Sequence, residues 1–318
     1  MTNQLLNSPI FIVGSGRSGT TLLQRMLGSH SRISSPTGES HFFIPLYVNQ
    51  NKYGDLSKVE NVKNVLEEMR RISREFVEED LHGIEFNSSK LAQEFVDNGY
   101  NSIISIINGL LSKNAYEEGK QRWLDKTPYY VLHIKTILEM YPDAQFIHII
   151  RDGRDCALSM LERKFDLKIF NTYHAAYTWS KYVNAGHAAK SFLPANSYFE
   201  IKYEDLISDP ETNIIKICDY LGEKLEPSMI HFKKSQDPKS KTPLLSKSLQ
   251  STNTGKWRTK MNSRQIRIFE SLAGNTLVRC GYELSSPHPK INFFEWIASE
   301  LHIKLCHFYC HYFLNKNK

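Results

Sequence analysis

Ten residues, GSGRSGTTLL at positions 14–23, combine the features of an anion site. Gly14, Gly16 and Gly19 let backbone N–H groups converge, and a helix starting behind them adds partial positive charge. A loop built for ATP reads GxxxxGK[ST]. Here Gly14 and Gly19 keep the glycine spacing and Thr21 keeps the hydroxyl, but Thr20 stands in place of the lysine and the cation has moved to Arg17. ATP needs a lysine and Mg²⁺ against its β- and γ-phosphates. A ligand with one phosphate in the loop and a sulfonate beyond it needs only a guanidinium and two hydroxyls, with no metal. The plainer alternative is a glycine turn joining a strand to a helix.

A second charged run, HIIRDGRDCALSM at positions 148–160, invites the same question. Arg151 falls at the end of an apolar run that reads as a strand, where α/β sheets bind ligands. Asp152 or Asp155 suits the cap of the helix that follows. Asp155, Ser159 and Arg163 stand four residues apart and would share one helix face. Arg151, Ser159 and Arg163 can then surround a second phosphate, the arginines supplying forked donors. Taken alone, the run also fits a salt-bridged helix start.

The elements that must position these residues alternate. Strand signals are IFIV (10–13), QFIHII (145–150) and YFEIKY (198–203), two of them nearly continuous apolar runs of the kind buried in parallel sheets. Helical patterns cover 20–28, 127–141, 155–165, 172–192 and 212–221. The expected class is α/β: a P-loop-like parallel sheet flanked by helices, in a single domain. Residues 55–98 carry eleven acidic against six basic side chains and read as helical, so a helical insertion is expected over about 55–120, covering the ligand edge of the sheet. Residues 224–267 reverse the balance, eleven basic against two acidic, and their middle reads as a loop ordered by ligand. Nucleic acid is not the expected partner, because aromatics are not interleaved with these charges as stacking platforms. His133 and His148 read as structural, the latter inside an apolar strand.

The chain has 318 residues, 41% of them hydrophobic, enough to bury a full core. A mean hydropathy of -0.42 and a formal charge of +6 suit a soluble protein with an anionic ligand. Cys156, Cys218, Cys280, Cys306 and Cys310 form an odd set without zinc spacing, so reduced thiols in a cytoplasmic setting are expected, and no metal. The first residues lack a basic leader and read as the approach to a strand, not as a signal peptide. No run reaches the roughly 18 apolar residues of a membrane span. Residues 287–318 form an aromatic-basic tail with Phe293, Trp296, Leu301, Leu305, Phe308 and Tyr312 near helical spacing. It reads as a terminal helix docked on the body, or as a helix that meets a membrane surface or a partner.

Together, GSGRSGTTLL and RDGRDCALSM resemble the sulfotransferases that use 3′-phosphoadenylyl sulfate (PAPS) as cosubstrate. Arginine at position 17, where phenol and steroid sulfotransferases usually carry lysine, resembles the branch of protein-tyrosine and many bacterial sulfotransferases. PTGESHFF, LDKTP, YEDL, GKW and CGYEL follow in the order expected of that branch, so the resemblance spans about residues 9–284. It implies a sulfotransferase domain over 1–286. It implies that Arg17, Ser18, Gly19, Thr20 and Thr21 hold the 5′-phosphosulfate. Arg151 and Ser159, assisted by Arg163, hold the 3′-phosphate, and Tyr203 and Lys256 flank the nucleotide, with Ser248 or Ser251 as further contributors. Glu39 is the implied base, with His41 the runner-up, although the spacing around Glu39 departs from the family pattern. Arg17 and Lys126 are the implied cations at the leaving oxygen. The acceptor is expected to be a hydroxyl on a carbohydrate, glycolipid or small metabolite, ahead of a protein tyrosine, with its pocket in residues 42–120. An ATP-dependent small-molecule kinase with a degenerate loop, and a non-catalytic nucleotide-binding or membrane-scaffold protein using its aromatic tail, are the competing readings.

Overall fold

A computed structural model describes residues 8–73, 76, 83–194, 196–232 and 253–311. Five parallel strands form one sheet: β1 (Ile10–Gly14), β2 (Ile33–Ser34), β3 (Arg122–Lys126), β4 (Gln145–Ile150) and β5 (Tyr198–Lys202), in the order β2-β3-β1-β4-β5. Ile12 lies beside Lys126 on one side and Ile147 on the other, so β1 is central. Parallel neighbours require crossovers, and helices supply them. The expected α/β class, with a parallel sheet flanked by helices, is the observed one.

The helices are α1 (Thr20–Gly28), α2 (Phe43–Val48), α3 (Val59–Ile72), α4 (Ser88–Asp97), α5 (Ile103–Glu117), α6 (Ile134–Met140), α7 (Gly153–Leu161), α8 (Lys164–Leu167), α9 (Thr172–Ala189), α10 (Tyr203–Ser208), α11 (Pro210–Leu221), α12 (Pro227–Ile230), α13 (Trp257–Lys260), α14 (Ser263–Arg279) and α15 (Phe293–Tyr309). The period-two alternation of strand side chains sorts the core onto two faces. Phe11, Val13 and Phe146 pack with α2 to α5, where Phe11 meets Phe43, Trp123 and Phe146 ring to ring. Ile10, Ile12, Leu124 and Ile147 pack with α1, α10 and α11 on the other face. A third cluster, around Trp179, Trp257 and Phe269, joins α7, α9, α13 and α14.

Three local expectations change. The pattern over residues 127–141 starts as a 3₁₀ turn, Pro128–His133, before α6. The helix read over 155–165 begins earlier and stops at Leu161, so Arg163 lies beyond α7, at the head of α8, and not on the helix face with Asp155 and Ser159. β2 and β3 had no apolar signature. RWLDK forms a fully buried strand in which distant groups satisfy Arg122: it donates to the Ser8 and Leu221 carbonyls, Glu223 and Gln145. Most of the basic loop, including Ser248 and Ser251, lies outside the described residues, as does Tyr312.

Candidate active site

The C-terminal ends of four adjacent strands deliver the functional side chains. β3 ends on Lys126, β1 runs into the glycine loop, β4 is followed by Arg151 and β5 by Tyr203. β1 continues to β3 on one side and β4 on the other, which makes this edge the switch point where α/β sheets bind ligands.

The loop turns sharply into α1. Gly14 and Gly19 have φ of 149° and 98°, and both are crowded. A Cβ on Gly14 would lie 2.6 Å from the Ile149 carbonyl oxygen, and one on Gly19 would lie 2.3 Å from the Tyr203 ring. Glycine is required at both places by the backbone and by the neighbours. Ser18 is buried, and its hydroxyl donates to the Ser15 carbonyl at 2.7 Å, bracing the turn. Thr20 is buried and Thr21 half-buried at the start of α1. The helix has no side-chain cap and no acidic residue in its first turn, so its N–H groups and dipole are open to an anion.

Arg17 adopts a left-handed conformation (φ 69°), costly for a non-glycine residue. This turns its side chain toward α7, where Nε donates to Ser159 Oγ at 2.9 Å. Burial, then Arg163 and Arg151, push the Arg17 pKa down. Positive charge is therefore gathered here at a cost that an anion would relieve. Arg151 is buried. Its guanidinium sits 4.6 Å over the Tyr203 ring and donates to the Arg17 carbonyl (3.3 Å) and the Asn253 carbonyl (2.6 Å), while Nε has no hydrogen-bond partner among the described residues. The Tyr203 hydroxyl accepts from Asn253 Nδ2 at 2.8 Å. Gly19, Tyr203 and Arg151 thus form one stack that joins the two motifs.

Asp152 caps α7 by accepting from Arg154 N, and Arg154 is locked between Asp152 and Glu270 under the Trp257 ring. The second arginine of RDGRD is therefore a structural member. Asp155 accepts from the Gly255 and Trp257 amides at 2.7 and 2.9 Å, which places half-buried Lys256 beside the Arg151 region. Arg163 pairs with Asp166.

A second cluster gathers around the candidate carboxylate, Glu39. Glu39 Oε1 accepts from Lys126 Nζ at 3.0 Å and Oε2 lies 3.1 Å from His41 Nε2. Lys126 is only 5% exposed and Glu39 is 38% exposed. Burial alone would raise the Glu39 pKa, but Lys126 and His41 outweigh it and hold the carboxyl at about 2. His41 has φ of 50°, so the chain bends at this point to set both side chains on one spot. Behind them the Ser40 hydroxyl bridges Thr127 Oγ1 and Tyr130 OH at 3.2 and 2.9 Å.

Asp125, one residue before Lys126, escaped the sequence reading. It is fully buried, neither carboxylate oxygen has a close hydrogen-bond partner among the described residues, and burial raises its pKa to about 6 against the pull of Ser40, Thr127, Lys126 and His41. The only signal for it was an acid inside LDKTP. Among the described residues no group of three or more His, Cys, Asp or Glu is arranged to hold a metal ion, and the five cysteines are free thiols. His148 is buried with Nδ1 2.5 Å from Tyr198 OH and serves the core.

A glycine loop and a second cationic motif converge at one edge of a parallel α/β sheet, the arrangement of an anion-binding site. The family model that matches, described as "Sulfotransferase family", covers residues 9–227, and the chain belongs to that family. It is 26% identical over 226 residues to a putative protein-tyrosine sulfotransferase of Caenorhabditis briggsae, covering 70% of this chain and 68% of that one. It is 25% identical over 257 residues to the omega-hydroxy-beta-dihydromenaquinone-9 sulfotransferase Stf3 of Mycobacterium tuberculosis, covering 69% and 63%. A match to an uncharacterized protein of Aquifex aeolicus, 27% identical, covers 79% of this chain but 30% of the relative's length. In fold the chain is similar to the sulfotransferase domain of the Synechococcus PCC 7002 olefin synthase, with a TM-score of 0.57 and 22% identity over 87% of this chain and 96% of that one.

Proposed function

We propose that the protein transfers the sulfuryl group of PAPS to an acceptor hydroxyl. The observation that carries this reading is the stack of Gly19, Tyr203 and Arg151 together with the Arg17–Ser159 hydrogen bond: two separate anion motifs are joined at one sheet edge. A bisphosphate with one phosphate at the α1 N-terminus and another against Arg151 and Ser159 fits that spacing of charge. Ser18, Gly19, Thr20 and Thr21 take the 5′-phosphate, Arg17 bridges toward the sulfonate, and Tyr203 and Lys256 border the nucleotide. Arg163 reaches the 3′-phosphate only by leaving Asp166.

In the transfer, the acceptor oxygen forms a bond to sulfur while the bond from sulfur to the bridging phosphate oxygen breaks. The electron pair leaves with adenosine 3′,5′-bisphosphate, and the acceptor proton goes to Glu39. The protein's share is positioning and charge stabilisation. A carboxylate held at about 2 is a weak base. Its partner is also the cation nearest the leaving oxygen in this reading. When Lys126 turns from Glu39 to the bridging oxygen, the carboxylate loses its strongest counter-charge and its basicity rises as the leaving group is being stabilised. Proton uptake is thereby tied to occupancy of the site.

A relative named for a hydroxylated menaquinone supports an acceptor hydroxyl carried on an apolar molecule, with α2 to α5 as the acceptor wall. Calorimetry with adenosine 3′,5′-bisphosphate tests the reading. Binding without Mg²⁺ is expected. No heat with the bisphosphate, or turnover of Mg²⁺-ATP instead, overturns it.

A further inference from the structure

Asp125 is a buried acid one residue from Lys126. The sheet register sets it beside Phe11 of β1, and it is 1% exposed. The Phe11 ring packs there against Phe43, Tyr130 and Tyr141. Among the described residues neither Asp125 carboxylate oxygen has a hydrogen-bond partner, and neither does the buried Tyr141 hydroxyl. An ionised carboxyl in such surroundings costs stability. Groups kept at that cost collect at functional sites.

The groups around Asp125 are those around Glu39. Lys126 and His41, which hydrogen-bond the Glu39 carboxylate, both draw on the Asp125 charge as well. The Ser40 and Thr127 hydroxyls lie near enough to stabilise that charge. Thr127 Oγ1 accepts from the Ser40 amide at 3.0 Å, which fastens the turn bearing Glu39 and His41 to the end of β3. Tyr130 OH accepts from the Phe43 amide and meets Ser40 Oγ at 2.9 Å, and both Tyr130 and Tyr141 feel the Asp125 charge. Asp125 is thus faced by Lys126 and Thr127 from its own strand end, Ser40 and His41 from the turn, Tyr130 from the 3₁₀ turn and Tyr141 beyond α6. Of these only Lys126 and His41 can carry positive charge. Two carboxyls therefore share the same two basic groups. An ionised Asp125 weakens their hold on Glu39, and a neutral one leaves both to suppress it. When Lys126 turns to the bridging oxygen, an ionised Asp125 is the buried charge that stays behind and favours a proton on Glu39.

We propose that Asp125 is a positioning residue of the transfer reaction: its buried negative charge, set on the same two basic groups as Glu39, raises the basicity of Glu39 without touching either substrate. This rests on the sulfuryl-transfer reading and adds to it a control of the same site by pH. The probe is PAPS with water as the acceptor, followed in single turnovers as release of adenosine 3′,5′-bisphosphate over about pH 5–8. Glu39 itself, held at about 2, does not titrate in that range. The wild-type rate is expected to rise about tenfold with pH through about 6, as Asp125 ionises. Asp125→Asn should run flat at the acid-side rate of the wild type, an outcome that a merely structural role would not give. It should keep wild-type affinity for adenosine 3′,5′-bisphosphate, which shows that it folds and reads the nucleotide site separately. His41→Gln should keep the rise. A flat wild-type profile, a rise that survives in Asp125→Asn, or one that vanishes in His41→Gln overturns the proposal. Intact bisphosphate binding and PAPS cleavage in that event leave the sulfuryl-transfer reading standing, whereas absence of both removes that reading and this proposal with it.

Discussion

Glu39 sits between a cation that suppresses its basicity and a histidine that shares its second oxygen. Glu39→Gln is expected to keep adenosine 3′,5′-bisphosphate affinity within about twofold and to lower transfer by about 10²–10⁴. Retained turnover in that variant would move the base to His41. The folded pKa of about 2 lies below the ordinary carboxylate value. The pair therefore contributes its full stability above that ordinary value and loses it as pH falls toward 2, which a urea titration of wild type and Glu39→Gln across acid pH would resolve. Asp125 has the opposite sign. Its folded pKa of about 6 is above the unfolded value, so stability is full at low pH and declines as pH rises through 6. Asp125→Asn should stabilise the protein by about 3 kcal/mol near neutral to alkaline pH and by nothing in acid, measured as Tm against pH. Arg17→Lys should not rescue Arg17→Ala, because a lysine cannot reproduce the guanidinium fork that meets Ser159 while facing an anion.

At the scale of elements, the joints carry the function. Gly19 is where β1 turns into α1 with its backbone against Tyr203. Gly19→Ala should cost about 1–3 kcal/mol by denaturant unfolding and weaken bisphosphate binding, since relief requires Tyr203 to leave its place under Arg151. Asp155 ties α7 to the segment that bears Lys256 through two backbone N–H groups. Asp155→Ala should speed amide exchange at Gly255 and Trp257 and reduce bisphosphate affinity about tenfold, near the worth of one or two hydrogen bonds. Unchanged exchange there would mean that the packing of Trp257 alone holds the segment.

At the scale of the molecule, the strand order decides what meets what. β3 and β4 lie on either side of β1, which puts Lys126, the glycine loop and Arg151 side by side although 134 residues separate Arg17 from Arg151. The apolar faces of β1 and β4 secure that order, because each strand is buried on both sides and a one-residue register slip would exchange Phe11 and Ile12 between two differently packed cores.

The sequence by itself determined the α/β class, the central strands and the glycine loop, because apolar runs and glycine chemistry are local. It also determined that Asp152 or Asp155 would serve the start of α7; the structure makes Asp152 the cap and frees Asp155 to hold the 255–257 segment. Only the tertiary structure decided that RWLDK is a strand. Its buried Arg122 is satisfied by groups about a hundred residues away in Glu223 and Ser8, and no pattern of neighbours in sequence can show that. Only the tertiary structure set Lys126 against Glu39 across 87 residues, buried Asp125 beside them, and took Arg163 off the face of α7 by ending the helix at Leu161. The physical reason is common to all: burial and pairing over long sequence distance are properties of packing, whereas backbone freedom and side-chain type are written residue by residue.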